Sequence, residues 1–283
     1  MLHNFSLRLR YPGRFYRPDT PDGADAYHRL AKLLAFPELR MRARIPATTE
    51  TICPDKGYLI TSIRMPQQVI DRAEAMDWTA EAVGSKKEFL IVSSLPQDTW
   101  VREIADQLLP IAAEYIGSLP VLQSAQFWYS QNTTIAFGRS QSWHMDGEDR
   151  RQLKCLLPLR SIDQDTGPLT LLPAAVSARV YRELVSDGLT KRRNFKITDN
   201  DMKRYFDPSE VIQLTGEPGT AGMVDTCRCY HFGSRKAPKA RLLMFLHFTS
   251  AYSIEMPIFR RGAADLVYDL ADRMFPAVRF RRG

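Results

Sequence analysis

Val121-Leu-Gln-Ser-Ala-Gln-Phe-Trp-Tyr-Ser130 and Leu153-Lys-Cys-Leu-Leu-Pro-Leu159 have the composition of strands, and Gly167-Pro168 supplies turn chemistry before Leu169-Thr-Leu-Leu172 resumes one. Strands return at residues 221–231 and 241–249. Short strands separated by turns predict a barrel or sandwich. Upstream, apolar residues at helical spacing predict helices at 24–36, stopped by Pro37, at 67–83 after Pro66, and at 98–116, ended by Gly117. Further strands are expected at 58–64 and 89–93, and helices at 177–185 and 263–274. Residues 1–24 show no steady period and are expected as an irregular arm. The chain thus reads as mostly β with flanking helices.

No internal repeat or separating linker occurs, so 1–283 is expected to be one domain. It divides into an N-terminal flank at 1–120, a β core at 121–250 and a C-terminal helix and tail at 251–283. A polar stretch at about 186–208, with the basic run Lys191-Arg-Arg-Asn-Phe-Lys196, reads as an insertion between strands.

The 283 residues are 44% hydrophobic and 25% charged, ordinary for a globular chain and incompatible with disordered, collagen-like or coiled-coil classes. Four cysteines in a chain this long do not make a disulfide scaffold, and no stretch of 18 apolar residues occurs, which predicts free thiols, a cytoplasmic location and no membrane partner. The net charge is +7, and arginine carries most of the excess. Its planar fork suits carboxylates and phosphates, so anionic partners are expected.

Trp143-His144-Met145-Asp146-Gly147 is the sharpest local feature. Side chains alternate along a strand, so His144 and Asp146 point the same way and can grip one metal ion. His231 offers a third ligand at the end of a β-type segment, and Arg241 opens the next strand ten residues later. An antiparallel pairing of those two strands would set His231 and Arg241 side by side. Two His and one Asp form the facial triad of non-haem Fe(II) oxygenases. A 2-oxo acid on that iron needs a cation for its far carboxylate, which Arg241 can take bidentately. Arg235 competes for this task but lies in a loop. His247 shares strand parity with Arg241 and reads as a support or core residue. Cys227, Cys229 and His231 alternate on one face, a pattern open to a soft-metal site of the C-x-C-x-H kind, but that spacing lacks the C-x2-C geometry of zinc and the two thiols read as inward packing.

Taken in order, these features resemble the phytanoyl-CoA dioxygenase-like group of Fe(II)/2-oxoglutarate oxygenases, over roughly residues 126–249. His144-Met-Asp146 resembles the family's metal dyad, and Asp163-Gln-Asp-Thr-Gly-Pro-Leu-Thr-Leu-Leu-Pro173 its "D-x-x-x-x-G-P-L-x-x-x-P" segment. Gly219-Thr-Ala-Gly-Met-Val-Asp225 is similar to the strand before the second histidine, and His231 with Arg241 to the distal ligand and 2-oxoglutarate anchor. After Pro173 the chain departs from the family's Gly-Ser-His and continues Ala174-Ala-Val176.

The resemblance implies a double-stranded β-helix, a cupin-like jelly roll, with Fe(II) on His144, Asp146 and His231. It also implies 2-oxoglutarate and O2 as co-substrates, and succinate and CO2 as products of a C–H oxidation. Thr170, Tyr129 and Gln126 are the candidates for hydrogen bonds to the co-substrate, and Trp143 is expected to wall the pocket. Because Asp146 is present, hydroxylation is favoured over halogenation. Arg192 and Arg193, with Lys191 and Lys196, are candidates for an anionic or carrier-tethered small substrate. A nucleic-acid demethylase of the same chemistry would carry a second arginine shortly after Arg241, and Arg241-Leu-Leu-Met-Phe-Leu-His247 has none. A non-catalytic jelly roll that binds a metal or anion is the other alternative.

Overall fold

The computed structural model describes residues 42–78, 84–86, 89–93, 99–117, 119–131, 139–147, 151–190, 196–235 and 237–250. The arm at 1–24, the helices expected at 24–36 and 263–274, and Lys191, Arg192 and Arg193 lie outside these residues.

The elements run β1 (Tyr58–Ser62), α1 (Gln67–Glu74), β2 (Gly84–Lys86), β3 (Phe89–Ser93), α2 (Thr99–Ile116), β4 (Pro120–Ser130) and β5 (Leu153–Pro158). They continue β6 (Leu169–Leu171), α3 (Ala174–Ser186), α4 (Asp199–Met202), β7 (Ile212–Leu214), β8 (Thr220–Val224), β9 (His231–Phe232) and β10 (Arg241–Ser250). Two antiparallel sheets form, one in the order β1-β8-β5-β10-β4-β3-β2 and one in the order β7-β6-β9. This is the jelly-roll arrangement, mostly β with flanking helices. No helix among the described residues is long and apolar enough to cross a membrane.

Strand alternation divides the core. On β10, Leu242, Met244, Leu246 and Phe248 join Ala125 and Phe127 of β4 in a cluster with Val101, Ile104, Leu108, Ala112 and Tyr115 of α2. Those α2 residues recur at three- and four-residue spacing, which places one helix face on the large sheet. The opposite β10 residues, Leu243 and Phe245, meet Leu169 and Leu171 of β6, Leu214 of β7 and Trp128 of β4 between the two sheets. Trp128 stacks on Phe245 with ring centroids 4.2 Å apart. A third cluster lies on the outer side of the small sheet, where Val180 and Leu184 of α3 pack with Ile197, Met202 and Tyr205. The latter three belong to the segment read as a polar insertion, and they are buried. Ile197 also bridges to Trp143, so this part of the segment is built into the fold.

One expected strand is two. β8 ends at Val224, and the buried Asp225 turns the chain: its carboxylate accepts the Cys227 N–H and its carbonyl accepts those of Arg228 and Cys229. Residues 225–230 therefore cross from the large sheet to the small one, where β9 pairs with β6. Val, Thr, Cys and Tyr around this turn have strand propensity, which hides it from a composition-based reading. Cys227 and Cys229 consequently do not alternate with His231 along a strand. Gly57, in a left-handed conformation at φ 70°, backs the turn, and a Cβ there would come within 2.7 Å of Cys229 Sγ.

Candidate metal centre and anion anchor

His144 and His231 face each other across a main-chain bridge, each N–H donating to the other's carbonyl at 3.1 and 2.9 Å. Asp146 is fixed two residues on, where its N–H donates to Thr226 O at 2.8 Å. These bonds bring three side chains from two stretches of the chain together, with one ligand atom of each within 4.8 Å of the others. Asp146 Oδ1 lies 3.7 Å from His144 Nε2, and Oδ2 lies 3.8 Å from His231 Nε2.

Both imidazoles are oriented by main-chain carbonyls. His144 Nδ1 donates to Ser142 O at 2.8 Å and His231 Nδ1 to Cys229 O at 2.9 Å. The proton these bonds require on Nδ1 leaves Nε2 as the lone-pair nitrogen on each ring. Burial lowers the pKa of His144 and pushes that of His231 down to about 3, so both rings are neutral near pH 7. Burial alone would raise the Asp146 carboxyl, but the Lys154 ammonium beside it holds it below the usual carboxylate range. The result is two neutral imidazoles and an ionised carboxylate, converging in a partly shielded site.

Arg241 is 3% exposed at the start of β10. Its Nη1 donates to Gly167 O at 2.8 Å and its Nη2 to Ser130 Oγ at 3.3 Å, whereas Nε is buried without a hydrogen-bond partner. Burial pushes the guanidinium down to about 10. No carboxylate among the described residues pairs with it.

His231 and Arg241 do not sit side by side on paired strands. β9 belongs to the small sheet and β10 to the large one. The two residues instead approach the inter-sheet space from opposite walls, and Arg241 reaches the small sheet through Gly167 O, just ahead of β6. The rival Arg235 is held on the surface side, with both Nη atoms on Asp199 at 2.7 and 2.9 Å, Nε on Gln141 O and its Cζ 3.3 Å over the Phe232 ring.

The other expected contacts divide. Gln126 shares the inter-sheet face with Trp128 and accepts that ring's Nε1–H at 2.7 Å. Tyr129 is on the other face of β4, stacked on Trp78 and packed with the helix-side core, because alternation turns it away from Gln126. Thr170 alternates with the inward Leu169 and Leu171, which puts it on the outer face of the small sheet, where its hydroxyl faces Pro168 O at 3.5 Å. Trp143 walls no pocket with His144. It is buried in the outer cluster, edge-on to Phe232 with centroids 4.7 Å apart, since neighbouring residues of an extended segment face opposite ways.

Two residues at the site were not singled out from sequence. Lys154 Nζ donates to Asp146 Oδ2 at 2.5 Å, and Gln152 Nε2 donates to the same oxygen at 3.2 Å. Their signal was available: Lys154 interrupts an otherwise apolar strand, and Gln152 precedes it at the same parity. His247 joins them, with Nε2 at 2.9 Å from Gln152 Oε1. A cavity of about 400 Å³ is lined by Ser142, Ile197, Thr198, Asp199, Asn200 and Arg235, and touches the cluster only through Ser142, whose carbonyl holds the His144 ring.

No protein-family profile matches the chain, and no curated protein does. Among solved structures, EctD from S. alaskensis with bound Fe superposes with a TM-score of 0.50 at 17% identity, covering 77% of this chain and 88% of that one. HygX from Streptomyces hygroscopicus, solved with nickel and 2-oxoglutarate bound, has a TM-score of 0.48 at 14% identity, covering 69% and 84%. At these identities the likeness to EctD establishes the jelly-roll fold.

Proposed function

We propose that the chain is an Fe(II)/2-oxoglutarate-dependent oxygenase acting on a small molecule. The observation that carries this reading is the convergence of His144 Nε2, His231 Nε2 and an Asp146 oxygen within 4.8 Å, with both Nδ1 atoms tied to carbonyls. Two imidazoles and one carboxylate are the donor set of non-haem iron oxygenases, and they leave ligand positions on the ion open. Arg241 supplies the second half of the fit. A buried guanidinium with an unpartnered Nε and no carboxylate partner among the described residues suits the distal carboxylate of 2-oxoglutarate. EctD, the neighbour of matching fold, is described with bound Fe.

Iron, 2-oxoglutarate and O2 would together supply oxidation of an unactivated C–H bond, with release of succinate and CO2. The chain's part is to bind, orient and shield. His144, Asp146 and His231 hold the ion, Arg241 fixes the co-substrate at the far wall, and the Trp128–Phe245 stack lines the space between the sheets. Gln126, on the same face, is placed to adjust the co-substrate's polar contacts. The cavity of about 400 Å³ next to Ser142 has room for a metabolite of modest size. Lys154 and the exposed Lys196 both bear electrostatically on His144, which favours an anionic or carrier-tethered substrate. Hydroxylation is the reaction favoured, because Asp146 keeps the carboxylate that a halogenating site would give up.

The test is O2-dependent conversion of 2-oxoglutarate to succinate by iron-loaded protein. Turnover that disappears in His144→Ala supports the oxygenase. Tight metal binding with no 2-oxoglutarate turnover across a panel of anionic metabolites would favour a non-catalytic metal-binding jelly roll.

A further inference from the structure

Asp146 is held from the large sheet by Lys154 of β5 and by Gln152, the residue just ahead of that strand. Lys154 Nζ donates to Oδ2 at 2.5 Å and Gln152 Nε2 to the same atom at 3.2 Å. The Gln152 amide has a fixed sense. Its Oε1 faces His247 Nε2 at 2.9 Å, and its Nε2 also donates to Thr226 Oγ1 at 2.8 Å. The Asp146 N–H is separately tied to Thr226 O at 2.8 Å. Asp146 therefore keeps its orientation through Gln152 and the main chain even without the lysine, and what Lys154 contributes beyond one more hydrogen bond is charge. It sits opposite His247 in the β5–β10 register, its side chain 20% exposed, too enclosed for water to screen its ammonium fully.

We propose that Lys154 is a positioning residue: it holds Asp146 Oδ2, leaves Oδ1 for the divalent ion, and by its charge makes tight metal binding depend on a dianionic co-ligand. This rests on the reading of His144, Asp146 and His231 as metal ligands. Two neutral imidazoles and one carboxylate present a single negative charge to the ion, and the Lys154 ammonium cancels it. A dication then enters a neutral pocket and leaves it doubly positive; the near carboxylate of 2-oxoglutarate offsets part of that charge at the ion, while its far carboxylate matches Arg241. The chain would hold its metal weakly alone and firmly together with the co-substrate.

Two effects oppose each other when the lysine is removed, and their sizes decide the outcome. One contact to Oδ2 is lost, which loosens a ligand that Gln152 still holds. A full positive charge a few ångströms from a dication is also lost, and in a partly buried site this is the larger effect. Lys154→Met should therefore tighten Mn(II) binding roughly tenfold or more, although it deletes a residue bonded to a metal ligand.

The experiment is calorimetric titration of the full chain with Mn(II), with and without 2-oxoglutarate, for wild type, Lys154→Met, Lys154→Arg and His144→Ala. Expected are weak wild-type binding that 2-oxoglutarate strengthens at least tenfold, about tenfold tighter binding of Mn(II) alone by Lys154→Met with only a small further gain from 2-oxoglutarate, and wild-type behaviour in Lys154→Arg. Equal or weaker binding of Mn(II) by Lys154→Met would overturn the proposal. If that variant does not fold, Lys154→Gln is judged by the same comparison. Wild-type Mn(II) binding that survives His144→Ala unchanged would instead overturn the metal-centre reading, and the role of Lys154 with it.

Discussion

The Tyr115 hydroxyl donates to Asp225 Oδ2 across 2.8 Å and joins helix α2 to the turn that carries the chain from the large sheet to His231. Arg228 reaches both partners' surroundings, donating to Tyr115 Oη at 3.4 Å and to Pro54 O at 3.1 Å. Through the same turn, Thr226 O holds the Asp146 N–H and Cys229 O holds the His231 ring. The candidate metal centre thus depends on a buried network some way behind it.

That network has a pH signature. Burial pushes the Asp225 carboxyl up from an ordinary 3.8 to about 6, with the Tyr115 hydrogen bond pulling the other way. Between those values the folded chain keeps a proton that the unfolded chain has released, so this group's contribution to stability is full below about pH 4 and is lost as pH rises through 6. Asp225→Asn removes the dependence. Its stability relative to wild type should rise by roughly 3 kcal/mol between pH 4 and pH 7, measured by urea unfolding of metal-free protein. A constant difference across that range would contradict the assignment.

Arg241 gives an opposed pair of effects. Burying a cation without a matching anion is costly, so Arg241→Met should raise the melting temperature of the protein measured without 2-oxoglutarate. The same change should weaken 2-oxoglutarate binding by about a hundredfold while leaving Mn(II) affinity within a few-fold. If melting temperature and metal affinity both fall, the arginine is a structural residue.

Trp143 belongs to the packed outer side of the small sheet with Phe206 and Phe232. Trp143→Ala should cost about 3–5 kcal/mol of stability, read from denaturant unfolding. A variant of unchanged stability and altered substrate range would restore the residue to the pocket wall.

The sequence carried the elements of the site better than their orientation. The clustering of His144, Asp146 and His231 was legible because each sits in a short pattern whose order along the chain matches a known arrangement. Tyr129 and Thr170 lie on the other strand face from the one expected, since composition locates a strand but parity decides which side faces the inter-sheet space. The single strand expected at 221–231 failed because Asp225, the residue that breaks it, acts through a buried carboxylate, and that burial exists only in the fold. Lys154 escaped notice for a related reason: it lies eight residues from Asp146 in the chain and meets it only because β5 pairs with β10 and β8.

The most direct test is visible absorption on anaerobic addition of Fe(II) and 2-oxoglutarate to the metal-free chain. A metal-to-ligand charge-transfer band that needs both additions, vanishes in Asp146→Ala and demands far more 2-oxoglutarate in Arg241→Ala is the result expected. Absence of that band in the wild-type chain at saturating Fe(II) and 2-oxoglutarate would contradict the assignment of the metal centre and of its anion anchor together.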